Sequence, residues 1–206
     1  MLSSWRTSQP RISITGKSPT KTSRFNPDQP TKHLRYCTMK LANRYVVIDV
    51  ETAQSYDHIV EIAAVEVIDS TISSRSFVRR IKPRSGMSPF CYAVHRISLA
   101  DVEDEPYFDQ VVHDLIDFVG DDTIVAHNYA YEYNTLKREF ERAARPAYPR
   151  ERFFCTMALA KRSGLPGKLR HACSEAGISM AHLRVEHDAL NDALLAAHLL
   201  LKLTRP

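Results

Sequence analysis

Apolar runs separated by short polar segments predict a sheet at the start of the folded region. Three segments have the β-branched, apolar composition of strands: 45–52, 59–68 and a third within 71–81. Polar residues separate them, which predicts a loop over 53–58 and a short turn at Asp69-Ser70. Because the connections are short, we expect these three strands to form a meander with antiparallel pairing.

The remainder of the chain alternates helical and short strand patterns. Apolar residues at helical spacing predict five helices, at 107–119, 129–144, 157–162, 168–176 and within 187–203. Two short apolar runs predict strands at 123–126 and 153–155, and 83–101 is expected to be irregular with short helical pieces. A meander followed by alternating helices and strands predicts an α/β layer fold with a mixed sheet.

Two acids end the first predicted strand. Asp49 and Glu51 are two positions apart, so they face the same way with their Cα atoms roughly 6–7 Å apart. Ionising both in a low-dielectric site is costly, and Mg²⁺ or Mn²⁺, which prefer carboxylate oxygens, would relieve that cost. The alternative is a strand end at the surface with two solvated acids.

Two further acids lie in predicted helices. Glu132 shares a helix face with the apolar Leu136 and Phe140, or else it simply favours the N-terminal helix dipole. Asp192 lies in a helix that is apolar almost all round. An unpaired carboxylate there would be strongly destabilising, so something must compensate it, and a shared metal would. The alternative is that Asp192 lies on the single exposed stripe of that helix.

A histidine precedes the last of these acids. On a continuous helix, the five-residue spacing from His187 to Asp192 would turn the two side chains about 140° apart. We therefore predict that His187 lies just outside the helix, with Asp188 as its N-cap. A loop histidine beside a metal-binding carboxylate is suited to take a proton from water. With nine histidines in the chain, a purely structural role is the alternative.

The order of these residues resembles a known enzyme family. Three segments carry the resemblance: 47–52 (VIDVET), 125–132 (VAHNYAYE) and 187–192 (HDALND). They are similar, in this order, to the motifs of the DEDD exonuclease superfamily. The similar branch contains an additional histidine and includes the proofreading epsilon subunit of bacterial DNA polymerase III. Weaker similarities to the family lie at 59–62, 94–97 and 155–156. The resemblance as a whole covers about residues 43–203.

The resemblance implies a ribonuclease H-like three-layer α/β fold with a five-stranded mixed sheet. It implies a metal-dependent 3′–5′ exonuclease that hydrolyses single-stranded or frayed nucleic acid, with DNA as the first expectation, to 5′-mononucleotides. Two Mg²⁺ or Mn²⁺ ions would be held by Asp49, Glu51, Glu132 and Asp192. His187 would be the general base, and Thr52 and Asn128 would contact the terminal nucleotide.

One residue departs from the family pattern. The family normally has Asp where this chain has Glu132, which keeps the charge but extends the carboxylate by one methylene. Two alternatives therefore stay open: a 3′–5′ exoribonuclease that trims short RNA, and a catalytically weakened nucleic-acid-binding module. The expected partners are a nucleic acid with a free 3′ end and a polymerase or repair complex. No membrane association is expected, because no apolar run approaches the roughly 18 residues that would span a bilayer.

Charge is distributed unevenly along the chain. Residues 1–40 carry a net charge of +7 and the other 166 residues a net charge of −3, which argues against a broad duplex-tracking surface on the body. We predict a disordered basic extension over 1–40 and an exonuclease domain over 41–206. The extension can be an organellar transit peptide, an arm that gathers nucleic acid, or an upstream extension of a protein whose functional start is Met39.

The expected location follows from that extension and from the cysteines. None of the four cysteines has the spacing of a zinc site or a redox motif, which favours free thiols in a reducing compartment. We expect a cytoplasmic protein, or an organellar one if residues 1–38 are a transit peptide.

Overall fold

The computed structural model describes residues 43–181 and 187–204. The predicted extension over 1–40, with its three interpretations, therefore lies outside the described residues.

Five strands form one mixed sheet. They are β1 (Arg44–Gln54), β2 (Asp57–Ile68), β3 (Thr71–Arg80), β4 (Thr123–Ala126) and β5 (Phe153–Cys155). Their spatial order is β3-β2-β1-β4-β5. The first three strands pair antiparallel, whereas β4 runs parallel to both β1 and β5. The predicted meander and the predicted five-stranded mixed sheet are confirmed.

Helices cover both faces of this sheet. They are α1 (Pro89–His95), α2 (Phe108–Val119), α3 (Tyr129–Arg142), α4 (Thr156–Arg162), α5 (Leu169–Glu175) and α6 (Ala189–Thr204). Helices α2 and α3 pack against one face in the largest apolar cluster. Helices α4, α5 and α6 form the layer on the opposite face. The result is the predicted three-layer arrangement. Among the helices that the structure describes, none has both the length and the apolar composition needed to cross a bilayer.

Strand β1 is buried on both faces, which explains its continuous apolar run. Val46, Ile48 and Val50 point into the cluster with α2 and α3. Tyr45 and Val47 pack against α6 instead. Because side chains alternate along a strand, the next odd-numbered residues of β1, which are the two acids, face the α6 layer.

A β-bulge in β2 lies beside these acids. Glu51 pairs with Glu61 and Thr52 pairs with Ile59, so Val60 is an extra residue on β2. The extra residue lets Ile59 enter the same core cluster as the even-numbered Ile62, while Glu61 stays opposite Glu51. The regular register therefore sets Glu61 opposite Glu51, and the bulge shifts only the pairing beyond that pair, at Thr52 and Ile59.

Two local predictions are wrong. The loop predicted over 53–58 is a hairpin turn of two residues, because backbone pairing continues out to Gln54 and Asp57 despite their polar side chains. Thr156 is a candidate N-cap in the sequence for the helix predicted over 157–162, but it does not cap that helix. That helix begins at Thr156, and the Cys155 Sγ accepts the hydrogen bond from the backbone N–H of Ala158 at 3.4 Å.

Candidate active site

The four acids predicted from the sequence converge at the carboxyl end of β1. Asp49 and Glu51 come from β1, Glu132 from the first turn of α3, and Asp192 from the first turn of α6. The charges of the other three all act on Asp49, together with that of Glu61. Residues from three elements, distant in sequence, therefore form one cluster.

This cluster resists simultaneous ionisation. Burial raises the pKa of Glu51 to about 9, with further contributions from the charges of Asp192 and Glu61. Burial also raises the pKa of Glu132 to about 8. The pKa of Asp49 lies well above its ordinary value, because the group is desolvated and because Glu132 and Glu51 repel it. A cation among these oxygens would favour their charged forms.

Glu132 is the most enclosed of the four side chains. It is only 4% exposed, so it does not lie on a solvated helix surface. Its Oε2 atom is buried and has no hydrogen-bond partner among the described residues. A buried carboxylate oxygen without a partner is unfavourable in isolation, and a hard divalent cation is a suitable partner for it.

Asp192 is buried, as predicted, with an exposed fraction of 7%. It is compensated, as the sequence requires, and part of the compensation is an arginine that the sequence did not identify. The guanidinium of Arg170 on α5 donates from Nη2 to the Asp192 Oδ1 at 3.1 Å. Burial raises the pKa of Asp192, while the nearby Arg170 and His187 act to lower it. A fixed cation therefore compensates one side of this acid.

His187 lies just outside α6, as the sequence predicts. Helix α6 begins at Ala189, and the Asp188 Oδ1 accepts a hydrogen bond from the backbone N–H of Asn191 at 2.9 Å, which confirms Asp188 as the N-cap. The His187 Nδ1 lies 3.7 Å from the Asp192 Oδ2, and the side chain is 48% exposed. Glu51, His187 and Asp192 each offer one ligand atom within 4.8 Å of the others.

The two predicted nucleotide contacts flank the acids. Thr52 follows Glu51 directly and is buried, with its Oγ1 atom 2.6 Å from the Tyr131 hydroxyl. Asn128 is exposed at the N-cap position of α3, and its side chain makes no capping hydrogen bond. The amide of Asn128 is therefore open to solvent beside the helix that carries Glu132.

Two residues of the site were missed by reasoning from the sequence. Arg170 precedes the buried Cys173 by three positions and so shares its helix face, where an arginine requires an anionic partner. Glu61 is a fifth buried acid in the neighbouring strand. The only signal for Glu61 was the weak motif similarity over 59–62.

Comparison with known proteins decides the family. A family model described as an exonuclease, of the RNase T type, matches residues 46–200. The chain belongs to the exonuclease family. The DNA polymerase III subunit epsilon of Salmonella typhimurium is 32% identical over 176 residues, covering 78% of this chain and 71% of that protein. Exodeoxyribonuclease 10 of Escherichia coli K12 is 35% identical over 116 residues, covering 56% of this chain and 46% of that protein.

Solved structures agree with the sequence comparison. A structure of exonuclease X in complex with 5′ overhanging duplex DNA is 30% identical to this exonuclease, with a TM-score of 0.62. The match covers 77% of this chain and 90% of that one. The nuclease domain of a DEDDh family member bound to rAMP has the same fold, with a TM-score of 0.62 at 18% identity. The predicted family, nuclease activity and ribonuclease H-like fold are confirmed, and the family implies the use of a divalent metal.

Proposed function

We propose that this exonuclease removes nucleotides stepwise from the 3′ end of single-stranded or frayed DNA, releasing 5′-mononucleotides. The observation that carries this proposal is the convergence of the four acids beside an exposed histidine. Such a cluster suits hydrolysis of a phosphodiester, in which negative charge develops on the phosphate and on the departing 3′ oxygen.

The acids suit a pair of Mg²⁺ or Mn²⁺ ions. Their hard oxygen donors match the preference of these ions, and the partnerless Oε2 of Glu132 supports a cation nearby. Asp49, Glu51 and Asp192 would hold one ion, with Asp49 shared by a second ion near Glu132. When bound, the ions would offset charge on the phosphate and make water a better nucleophile.

His187 serves as the general base in this proposal. Its position 3.7 Å from the Asp192 carboxylate keeps the imidazole at the edge of the acid cluster. Its half-exposed ring can take the proton that the attacking water loses and pass it to solvent. Thr52 and Asn128 would contact the terminal nucleotide from either side of the acids.

The relatives favour DNA as the substrate. They are named as a DNA polymerase subunit and an exodeoxyribonuclease, and exonuclease X was solved with duplex DNA. We therefore place this exonuclease on DNA with a free 3′ end, in association with a polymerase or repair complex.

Labelled oligonucleotides test the proposal. DNA and RNA oligomers carrying a 5′ or a 3′ label are incubated with the protein and Mn²⁺, beside Asp49→Ala and an EDTA control. We expect the 5′-labelled DNA to shorten as a ladder while the 3′ label leaves as a mononucleotide, with no reaction in either control. Release of the 5′ label before the oligomer is shortened from its 3′ end would refute the 3′–5′ polarity. Faster degradation of RNA would instead favour the exoribonuclease, and binding of both without degradation would favour the binding module.

A further inference from the structure

Glu61 lies in a row of charged residues that crosses three strands. It pairs with Glu51 of β1 on one side and with Arg80 of β3 on the other. It is 5% exposed, although it is an acid beside other acids. Its charge also acts on Asp49, whose pKa is raised. A buried acid in this position needs specific partners.

Both oxygens of Glu61 have such partners. Oε1 accepts a hydrogen bond from the Arg80 Nε at 3.3 Å, and that guanidinium supplies a counter-charge. Oε2 accepts a hydrogen bond from the backbone N–H of Ala189 at 3.0 Å. Ala189 is the first residue of α6, three positions before Asp192. Glu61 therefore joins the sheet that carries two of the acids to the helix that carries a third.

The start of α6 depends on contacts from outside the helix. The first N–H groups of any helix have no partner within it. Here Asp188 satisfies the N–H of Asn191, and Glu61 satisfies that of Ala189. The start of α6 also packs on β2, with Ala189 and Ala193 in one apolar cluster with Ala63 and Val65. Apolar packing is non-directional, whereas the hydrogen bond to Glu61 constrains the direction of that first turn.

We propose that Glu61 is a positioning residue for the reaction. Its hydrogen bond to Ala189 fixes the first turn of α6, so that Asp192 meets Glu51 at the metal site. This inference rests on the proposed function, because only a metal-dependent reaction requires Asp192 and Glu51 to lie together.

The contacts favour positioning over metal ligation. Each Glu61 oxygen already accepts a hydrogen bond, from Arg80 or from Ala189.

Three substitutions separate the roles of reach and charge. Glu61→Gln keeps an acceptor oxygen at the same reach but loses the charge. Glu61→Asp keeps the charge but withdraws it by one methylene, and Glu61→Ala removes both. Glu66→Gln and Glu66→Ala are matched controls, because Glu66 is a buried acid of the same strand that pairs with Arg44 and Arg75 away from α6.

The experiment measures Mn²⁺ affinity by calorimetry and steady-state kinetics on a DNA oligomer, with circular dichroism to verify folding. Glu61→Gln should stay within about threefold of wild type in both measurements. Glu61→Asp and Glu61→Ala should bind Mn²⁺ about tenfold more weakly and lose about tenfold in kcat, with KM changed less than twofold. The Glu66 variants should unfold at lower temperature than wild type but keep its Mn²⁺ affinity.

Three results would overturn the inference. If Glu61→Gln loses as much Mn²⁺ affinity as Asp192→Asn, Glu61 is a ligand. If folded Glu61→Ala and Glu61→Asp bind Mn²⁺ like wild type, it does not position the site. Should Glu61→Ala fail to fold, the comparison of Glu61→Gln with Glu61→Asp decides. If wild type itself shows no saturable Mn²⁺ binding that Asp49→Ala removes, the proposed metal site fails together with this inference.

Discussion

Arg170 donates a hydrogen bond to Asp192 across the α5–α6 contact, with 3.1 Å between the Arg170 Nη2 and the Asp192 Oδ1. Both side chains are largely buried. The bond occupies one carboxylate oxygen, while the other, Oδ2, lies on the side of His187. Arg170 therefore compensates an acid in a nearly apolar helix and leaves its second oxygen on the side of His187.

Loss of Arg170 should destabilise the metal-free protein. Arg170→Gln leaves the Asp192 carboxylate buried without its fixed counter-charge, which we expect to lower the free energy of unfolding by about 1–3 kcal/mol. Urea unfolding in EDTA measures the change. Arg84→Gln is the control, because Arg84 and Asp109 form an exposed ion pair worth less than about 1 kcal/mol. Equal effects of the two substitutions would contradict a special role for Arg170.

Stability without metal should fall as the pH rises from 6 to 9. The folded-state pKa values of Glu51 and Glu132, about 9 and about 8, lie above the ordinary value of 4.5. In this range the unfolded chain has already lost protons that the folded protein still holds, so raising the pH through the folded pKa values removes stability. We expect the melting temperature in EDTA to fall by about 5 °C.

Two comparisons check the cause of that pH dependence. Saturating Mn²⁺ should flatten the profile, because a bound cation favours the ionised carboxylates. Glu132→Gln should flatten it in EDTA, because one titrating group is gone. Differential scanning fluorimetry across the pH range measures all three profiles. A wild-type melting temperature in EDTA that rises from pH 6 to 9 would show that other groups dominate.

Substitution of Glu132 by Asp tests the departure from the family pattern. Glu132→Asp keeps the charge and restores the residue that the family normally has, so we expect turnover to be retained or raised. The lost methylene should lower stability by about 1 kcal/mol. Initial rates on a 5′-labelled DNA oligomer provide the measurement, with Glu132→Gln as the inactive control. A large loss in Glu132→Asp would refute the placement of the second motif at 125–132.

Substitution of Asp49 and of Asp192 by Asn should shift the melting temperature in opposite directions. Asp49→Asn removes an acid whose charged form is disfavoured by burial and by its neighbours, so we expect a higher melting temperature in EDTA at alkaline pH. Asp192→Asn removes the partner of Arg170, so we expect a lower one. Turnover should be lost in both, by at least about 10³-fold. Substantial activity in either variant, or melting shifts of the same sign, would contradict this description of the cluster.

The sequence by itself determined the order of the elements and the identities of the four acids. A continuous run of apolar, β-branched residues predicts β1, and apolar residues at helical spacing predict α3 and α6, because the apolar pattern is a local property of each segment. The same patterns identified Glu132 and Asp192 as acids on buried faces. The motif order then supplied the family, which the comparisons confirm.

Only the tertiary structure decided how those acids are compensated and aligned. The sequence required some compensation for Asp192 and suggested a shared metal, whereas the structure adds Arg170 from another helix. It also placed Glu61 opposite Glu51, through a pairing register of β1 with β2 that no periodicity reveals. Pairing register and helix placement depend on contacts between residues far apart in the chain, and a local pattern of apolar and polar positions carries no information about those contacts.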